Sequence, residues 1–172
     1  MNFSIAAITY RLFAPRHKIA CSWRLWRRLC NDLRIRGRYR TRESGAFLLG
    51  TVLDGRRQIV DYILYDDLDP NCLDTGIVRF DGCYFSELWS HCRTHSVAVV
   101  ADIHVHPGGA SQSGSDKENP MISMKGHVAL ILPDFASRPC SRRNLGIYQY
   151  EGAKQWTTIP GALRNVFFHI GL

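Results

Sequence analysis

The residues best suited to chemistry lie in one stretch, VAVVADIHVHPGGASQSGSD, residues 97–116. Its apolar residues alternate along 97–105, which predicts a β-strand. Residues two apart on a strand point the same way, so His104 and His106 can bind one metal ion together. The face predicted to form core carries Val97, Val99, Ala101, Ile103 and Val105. The opposite face carries Ala98, Val100, Asp102, His104 and His106.

A third ligand is available from the loop that follows the strand. Pro107 ends the ladder, and Gly108 and Gly109 allow a sharp reversal that brings the Asp116 carboxylate back toward the imidazoles. Two nitrogens and one oxygen leave a zinc ion one open position, which is the mark of a catalytic site. Two plainer interpretations stay open: a polar strand end, and residues 113–116 capping a helical turn.

Two further residues can serve a hydrolytic zinc site. Glu43, just before an apolar run, is a candidate base for a zinc-activated water, and the Ser113 hydroxyl is a candidate donor to a tetrahedral oxyanion. The alternatives are a solvated strand end for Glu43 and a capping hydroxyl for Ser113. Asp102 either orients one of the histidines or, as we prefer, is a polar residue near a strand end.

Composition favours a single globular domain over residues 1–172. Apolar residues make up 45% and charged residues 22% of the chain, which is ordinary for a folded protein. The six cysteines form no CxxC pair and suggest reduced thiols. The first fifteen residues lack a basic leader, and their apolar run is broken by Tyr10 and Arg11, so we expect a cytoplasmic protein with no membrane span.

The net charge of +7 is concentrated in the segment 24–42. Its arginines are 24, 27, 28, 34, 36, 38, 40 and 42. No aromatic-interleaved motif accompanies them, so we expect a solvated basic face rather than nucleic-acid binding. The charge still favours an acidic partner surface, which the loop at Arg38, Arg40 and Arg42 is placed to meet.

The remaining pattern predicts alternating strands and helices. Strands are expected at 3–13, 42–53, 58–65, 127–133, 145–150 and 155–159, with hairpin turns at 54–55 and 151–152 and a loop at 66–76. One helix is expected at 22–35, where the apolar positions are Trp23, Trp26, Leu29, Cys30 and Leu33. A second helix is expected at 82–93, capped by Asp81. The last stretch, 162–172, fits either type. His91 and His95, one helical turn apart, are a second metal pair or an exposed helix end, and the latter is favoured.

Taken together, three groups of residues resemble the JAMM signature of the JAB/MPN metalloproteases. They are Glu43 with Ser44-Gly45 and Leu48-Leu49-Gly50, then His104-Val105-His106-Pro107, then Ser113-Gly114-Ser115-Asp116. The resemblance extends to about Tyr150 and implies an α/β (α+β) fold with a central curved mixed β-sheet flanked by helices. It also implies one Zn²⁺ per chain held by His104, His106 and Asp116, with Glu43 as general base and Ser113 as oxyanion donor.

The same resemblance implies a substrate class. Family members cleave after the C-terminus of ubiquitin or a ubiquitin-like protein, and residues 116–136 look like the prokaryotic branch found beside ubiquitin-like, E1-like and E2-like proteins. Within that branch the chain is most similar to the deconjugating protease of bacterial antiphage operons. Two departures are Val105, where Ser or Thr is usual, and a compact loop before Asp116. We expect a partner or substrate to order that loop.

Three other functions remain open at this stage. One is an MPN-type scaffold that binds partners without catalysis, although the sequence retains the base and all three ligands. Another is a JAB protein associated with nucleic acid, suggested by the basic segment. The third is a hydrolase acting on small peptides or on a sulfur-carrier-like protein, which the site residues do not distinguish from an isopeptidase.

Overall fold

A mixed β-sheet carries the structure. The computed structural model describes residues 17–38, 40–137 and 139–171, and within them eight strands form one sheet in the order β7-β6-β5-β4-β2-β3-β1-β8. The strands are β1 (Ile19–Ser22), β2 (Gly45–Leu53), β3 (Arg56–Leu64), β4 (Ala98–Val105), β5 (Val128–Leu132), β6 (Gly146–Gly152), β7 (Gln155–Thr158) and β8 (Phe168–Gly171). The predicted fold class, an α/β (α+β) arrangement around a central curved mixed sheet, is confirmed.

The strand that carries the histidines lies in the middle of this sheet. β4 pairs antiparallel with β2 on one side and parallel with β5 on the other. β1 is parallel to both β3 and β8, and the remaining neighbours are antiparallel. A central strand has both backbone edges paired, so the end of β4 is a rigid support for side chains.

Helices cover both faces of the sheet. They are α1 (Trp23–Arg36), α2 (Tyr65–Leu68), α3 (Phe85–Thr94), α4 (Gly114–Glu118) and α5 (Arg164–Phe167). One core lies under α1 and includes Leu29, Leu48 and Ile103; the other lies under α2 and α3 and includes Phe47 and Leu88. In the described part of the chain, none of the helices has the length and apolar character to cross a membrane.

The predicted first helix is confirmed, with one correction. The Ser22 hydroxyl accepts a hydrogen bond from the backbone of Leu25 and caps α1, and Gly37 ends it. Trp23 was predicted to join the apolar stripe but is 52% exposed. Leu25 is buried instead, because the ridge 25, 29 and 33 faces the sheet and Trp23 lies outside it.

A bulge in β4 overturns part of the predicted alternation. Leu48 pairs with Ala101 but Leu49 pairs with Val99, so Val100 has no partner on β2. Val97 and Val99 therefore pack in the core under α3, whereas Ala101 and the residues beyond it follow the predicted faces. The carbonyl of Val100 accepts a hydrogen bond from Arg57 Nη1 at 3.1 Å.

The hairpins and the end of the chain differ in detail from the prediction. Asp54 and Gly55 form the expected turn, with φ of 50° and 72°. The turn between β6 and β7 lies at Ala153 and Lys154, with φ of 46° and 60°, and not at 151–152. The segment 162–171 contains both a short helix and a strand, whereas the predicted strand at 3–13 lies outside the described residues.

Two other predicted elements are refined. The loop predicted at 66–76 begins within α2. The predicted helix at 82–93 is a 3₁₀ turn, Gly82–Tyr84, continued by α3, and the Asp81 carboxylate caps it by accepting the Cys83 amide.

Ion pairs within the chain use part of the basic segment. Arg36 contacts Asp66 at 2.9 Å and Asp67 at 2.7 Å, and Arg42 lies 3.8 Å from Asp66. Arg28 similarly contacts a β3 aspartate at 2.7 Å. Such pairs contribute little stability where they are exposed, but they reduce the charge that these arginines present to a partner.

Gly50 offers a test of the packing between β2 and β3. A Cβ there would collide with the backbone carbonyl of Gln58, which a flexible side chain cannot relieve. We expect Gly50→Ala to lower the free energy of unfolding by about 1–3 kcal/mol in urea titrations. Gly161→Ala is the matched control, because its Cβ meets no atom within 4 Å. Equal loss in both variants would contradict this account.

Candidate metal centre

The end of β4 and the start of α4 bring the three predicted ligands together. His104 is the penultimate residue of β4, and the strand pairing continues past its end through the His106 amide, which donates to the Leu132 carbonyl at 2.9 Å. The chain then turns through the glycine-containing loop and returns at α4, where Asp116 lies in the first turn.

The three side chains converge on one point. Nε2 of His104 lies 2.9 Å from Nε2 of His106, and these nitrogens lie 3.4 and 3.3 Å from Oδ1 and Oδ2 of Asp116. Tetrahedral ligands at zinc distances of about 2.0–2.1 Å are separated by about 3.3–3.4 Å. The two nitrogen–oxygen distances match this spacing and the nitrogen–nitrogen distance is shorter, so the three side chains are close enough to bind one small divalent cation together. In the described part of the chain these residues form the group of His, Cys, Asp and Glu side chains compatible with a metal.

The charges within the cluster are tightly linked. Burial by itself lowers the pKa of His104, but the hydrogen bond and charge of Asp116 outweigh burial and raise it above its ordinary value. Burial likewise acts to raise the pKa of Asp116, but hydrogen bonds from both histidines hold it well below its usual range. The carboxylate is thus ionised and available as a ligand.

Asp116 is fixed by a capping box with Ser113. The Ser113 hydroxyl accepts from the Asp116 amide at 3.1 Å, and Oδ2 of Asp116 accepts from the Ser113 amide at 2.6 Å. The helix-cap interpretation of residues 113–116 is thus confirmed. It does not exclude the ligand interpretation, because the same carboxylate also faces both imidazoles.

Glu43 and Ser113 lie on one cavity beside this cluster. The cavity, of about 590 Å³, is lined by Glu43, His104, Ser113 and Asp116, and its apolar wall includes Val78 and Phe80. Oε2 of Glu43 accepts a 3.3 Å hydrogen bond from the Val78 amide. Glu43 therefore points into the structure and is not a solvated strand end.

Asp102 fits neither predicted role. It is 2% exposed, and its carboxylate accepts hydrogen bonds from His127 Nε2 at 2.6 Å and from the Tyr65 hydroxyl at 3.1 Å. Burial, followed by the charge of Asp102, raises the pKa of Tyr65 well above its ordinary value. An aspartate inside an otherwise apolar strand is a sequence signal for a buried polar network. The sequence does not indicate the partners, because Tyr65 and His127 are distant from Asp102 along the chain.

The second histidine pair lies at the end of α3, where His95 is exposed and His91 is half-buried. The rings of His91 and His95 stack with centroids 4.1 Å apart, and Nδ1 of His95 contacts the carbonyl of His91 at 3.0 Å. Among the described residues, no carboxylate or thiol completes a metal-binding group there.

Comparison with known proteins gives a distant metalloprotease relative. No protein-family profile matches the chain. Over 76 residues it is 28% identical to the probable metalloprotease y4jG of Sinorhizobium fredii, which covers 44% of this chain and 46% of that protein. The match thus spans about half the length of the curated relative.

Two solved structures resemble this chain at low identity. The solution structure of protein DSY2949 from Desulfitobacterium hafniense is 14% identical and covers 82% of this chain and 89% of that one, with a TM-score of 0.59. A protein from Salinibacter ruber is 18% identical over 77% of this chain and 86% of that one, with a TM-score of 0.47. The likeness to DSY2949 concerns the fold alone.

Proposed function

We propose that this protein is a zinc-dependent peptidase. The observation that carries the proposal is the convergence of His104, His106 and Asp116 on one point, beside a cavity that also holds Glu43. The partial match to a probable metalloprotease supports the same class of activity. Two imidazole nitrogens and one carboxylate oxygen are a donor set that zinc accepts while keeping a position for water or substrate.

When bound, the zinc ion supplies Lewis acidity that activates a water and polarises the scissile carbonyl. Glu43 takes the proton of the attacking water and delivers it to the departing amine. Its Oε2 is engaged by the Val78 amide, so Oε1 is the oxygen available for the proton. The Ser113 hydroxyl accepts from Asp116, which leaves its own O–H to donate to the developing oxyanion.

We further propose that the substrate is the C-terminal tail of a ubiquitin-like protein, in a conjugate or a precursor. The motif resemblance supports this choice, as does the apolar wall formed by Ile77, Val78, Phe80 and Met121 beside the reacting groups. E1-like and E2-like proteins are proposed partners of the same pathway. The Arg42 guanidinium donates to the backbone carbonyl of Arg36 and lies beside the Asp66 carboxylate. We therefore assign Arg38 and Arg40 to the contact with an acidic partner.

Metal content tests the first part of the proposal. We expect purified wild-type protein to hold about one zinc ion per chain by elemental analysis, and His106→Ala to lose most of it because two ligands rarely suffice. His95→Ala, which removes an exposed histidine outside the cluster, is the control and should retain the metal. Absence of zinc in all three proteins after zinc supplementation would favour the non-catalytic scaffold.

Glu43→Gln tests the assigned base. Zinc content should be preserved, whereas cleavage of a ubiquitin-like protein fused through its C-terminal glycine to a reporter should fall by about 10²–10⁴-fold, the usual contribution of a general base.

Glu118→Gln provides the carboxylate control. Glu118 forms a 2.8 Å surface pair with Lys154, so its loss should leave the rate within about twofold of wild type. Near wild-type cleavage by Glu43→Gln would refute the role of Glu43. If the protein cleaves unstructured peptides but no ubiquitin-like fusion, the substrate assignment is refuted and the proposal of a zinc-dependent peptidase stands.

A further inference from the structure

Two cysteines meet on the side of the sheet that bears α1. Cys30 lies on α1, and Cys140 lies in the loop after β5. Both line an open groove of about 1100 Å³ between α1 and this loop. Their side chains face the same space, and each thiol alters the pKa of the other. Cys30 is buried and Cys140 is half-buried, so the latter is the sulfur that a small reagent in the groove reaches first.

Three residues of α1, spaced one turn apart, surround Cys140. Nε1 of Trp26 donates to the Cys140 carbonyl at 2.7 Å and fixes the backbone of the loop. Cys30 and Arg34 line the same groove as Cys140 and both influence its thiol, whose Sγ lies 3.9 Å from the Ala136 carbonyl oxygen. The Nε of Arg34 is buried and has no hydrogen-bond partner among the described residues. The spacing i, i+4, i+8 places all three on one face of the helix.

This environment favours a thiolate at Cys140. The neighbouring Cys30 thiol lowers the pKa of Cys140, and the positive charge of Arg34 lowers it further against the effect of burial. The opposite holds for its partner, since burial and then the contact with Cys140 raise the pKa of Cys30. For comparison, burial raises the pKa of Cys21 to about 12. Of the two thiols, Cys140 is therefore the one that loses its proton more readily.

The groove around the pair is positively charged. Its lining includes Arg24, Arg27, Arg28, Arg34 and Arg142, and none of the described residues that line it is an aspartate or a glutamate. Arg28 is engaged by Asp61, but the others keep the local field positive. Positive surroundings and partial exposure are the conditions under which a cysteine reacts with oxidants.

We propose that Cys140 and Cys30 form an oxidant-sensitive thiol pair, with Cys140 as the reacting sulfur and Cys30 as the resolving one. The Cys140 thiolate attacks a hydroperoxide, forming an S–O bond and breaking the O–O bond, and the leaving alkoxide or hydroxide takes up a proton. Cys30 then attacks the Cys140 sulfur, forming the S–S bond and breaking the S–O bond, and its proton leaves with the hydroxyl as water. Two thiols are oxidised while one peroxide is reduced.

The experiment uses the full chain and hydrogen peroxide, with a readout that does not depend on peptidase activity. After brief exposure and alkylation of the remaining thiols, peptide mass spectrometry should find a Cys30–Cys140 cross-linked peptide that dithiothreitol abolishes. In Cys30→Ser the Cys140 sulfur has no resolving partner, so a dimedone adduct should accumulate on Cys140 instead. Exposed Cys83 is the internal control and should react later.

Two arginine variants keep the test decisive if a cysteine variant fails to fold. Arg34→Gln should slow oxidation of Cys140 about three- to tenfold, since it removes the charge beside the sulfur. Arg27→Gln removes an arginine from the same groove, where it lies over the Trp23 ring at 5.8 Å, and should change the rate little. Oxidation of Cys83 before Cys140, or equal rates in both arginine variants, would overturn the proposal.

Discussion

The approach of two imidazole nitrogens to 2.9 Å is the interaction on which the rest of the site depends. Nitrogens this close must share a proton or face a common cation, so the surrounding chain must hold both rings against their separation. β4 does this because both of its edges are paired, with β2 and β5, and because the His106 amide continues the pairing with Leu132. Each further element of the site is positioned relative to this strand end.

The Asp116 carboxylate connects the end of β4 with the start of α4, because it caps the helix and faces both histidines. A helix of five residues such as α4 is marginal by itself, and its first turn needs acceptors for the free amides. The capping box supplies them and, in doing so, orients Oδ1 toward His104 and Oδ2 toward His106. The carboxylate that caps the helix is consequently the one that faces both imidazoles, so capping and metal binding, which look like alternatives in the sequence, are compatible in the structure.

The sequence was sufficient for the features that depend on local pattern. Strand alternation predicted that His104 and His106 share a face, and turn chemistry predicted the Asp54-Gly55 hairpin. The predictions that were wrong concern residues whose structure is set by contacts with residues distant in sequence. The bulge at Val100 arises from its register with β2 and is satisfied by Arg57, and the burial of Asp102 requires His127 and Tyr65. None of these contacts leaves a periodic signal. The proximity of Cys30 and Cys140 has the same origin.

Backbone strain is located where the centre is supported. Asp134, Phe135 and Ala136 all have left-handed φ values, of 55°, 53° and 53°, although none is glycine. Such conformations cost on the order of 1–3 kcal/mol each and persist only where other contacts impose them. Here the Phe135 amide donates to the His106 carbonyl and the Asp134 amide to the Gly108 carbonyl, both at 2.9 Å. The strained turn thus holds the backbone just beyond β4. If the turn adopted ordinary φ values, its hydrogen bonds to the carbonyls of His106 and Gly108 would be lost. The geometry of the centre therefore depends on this turn as well as on β4.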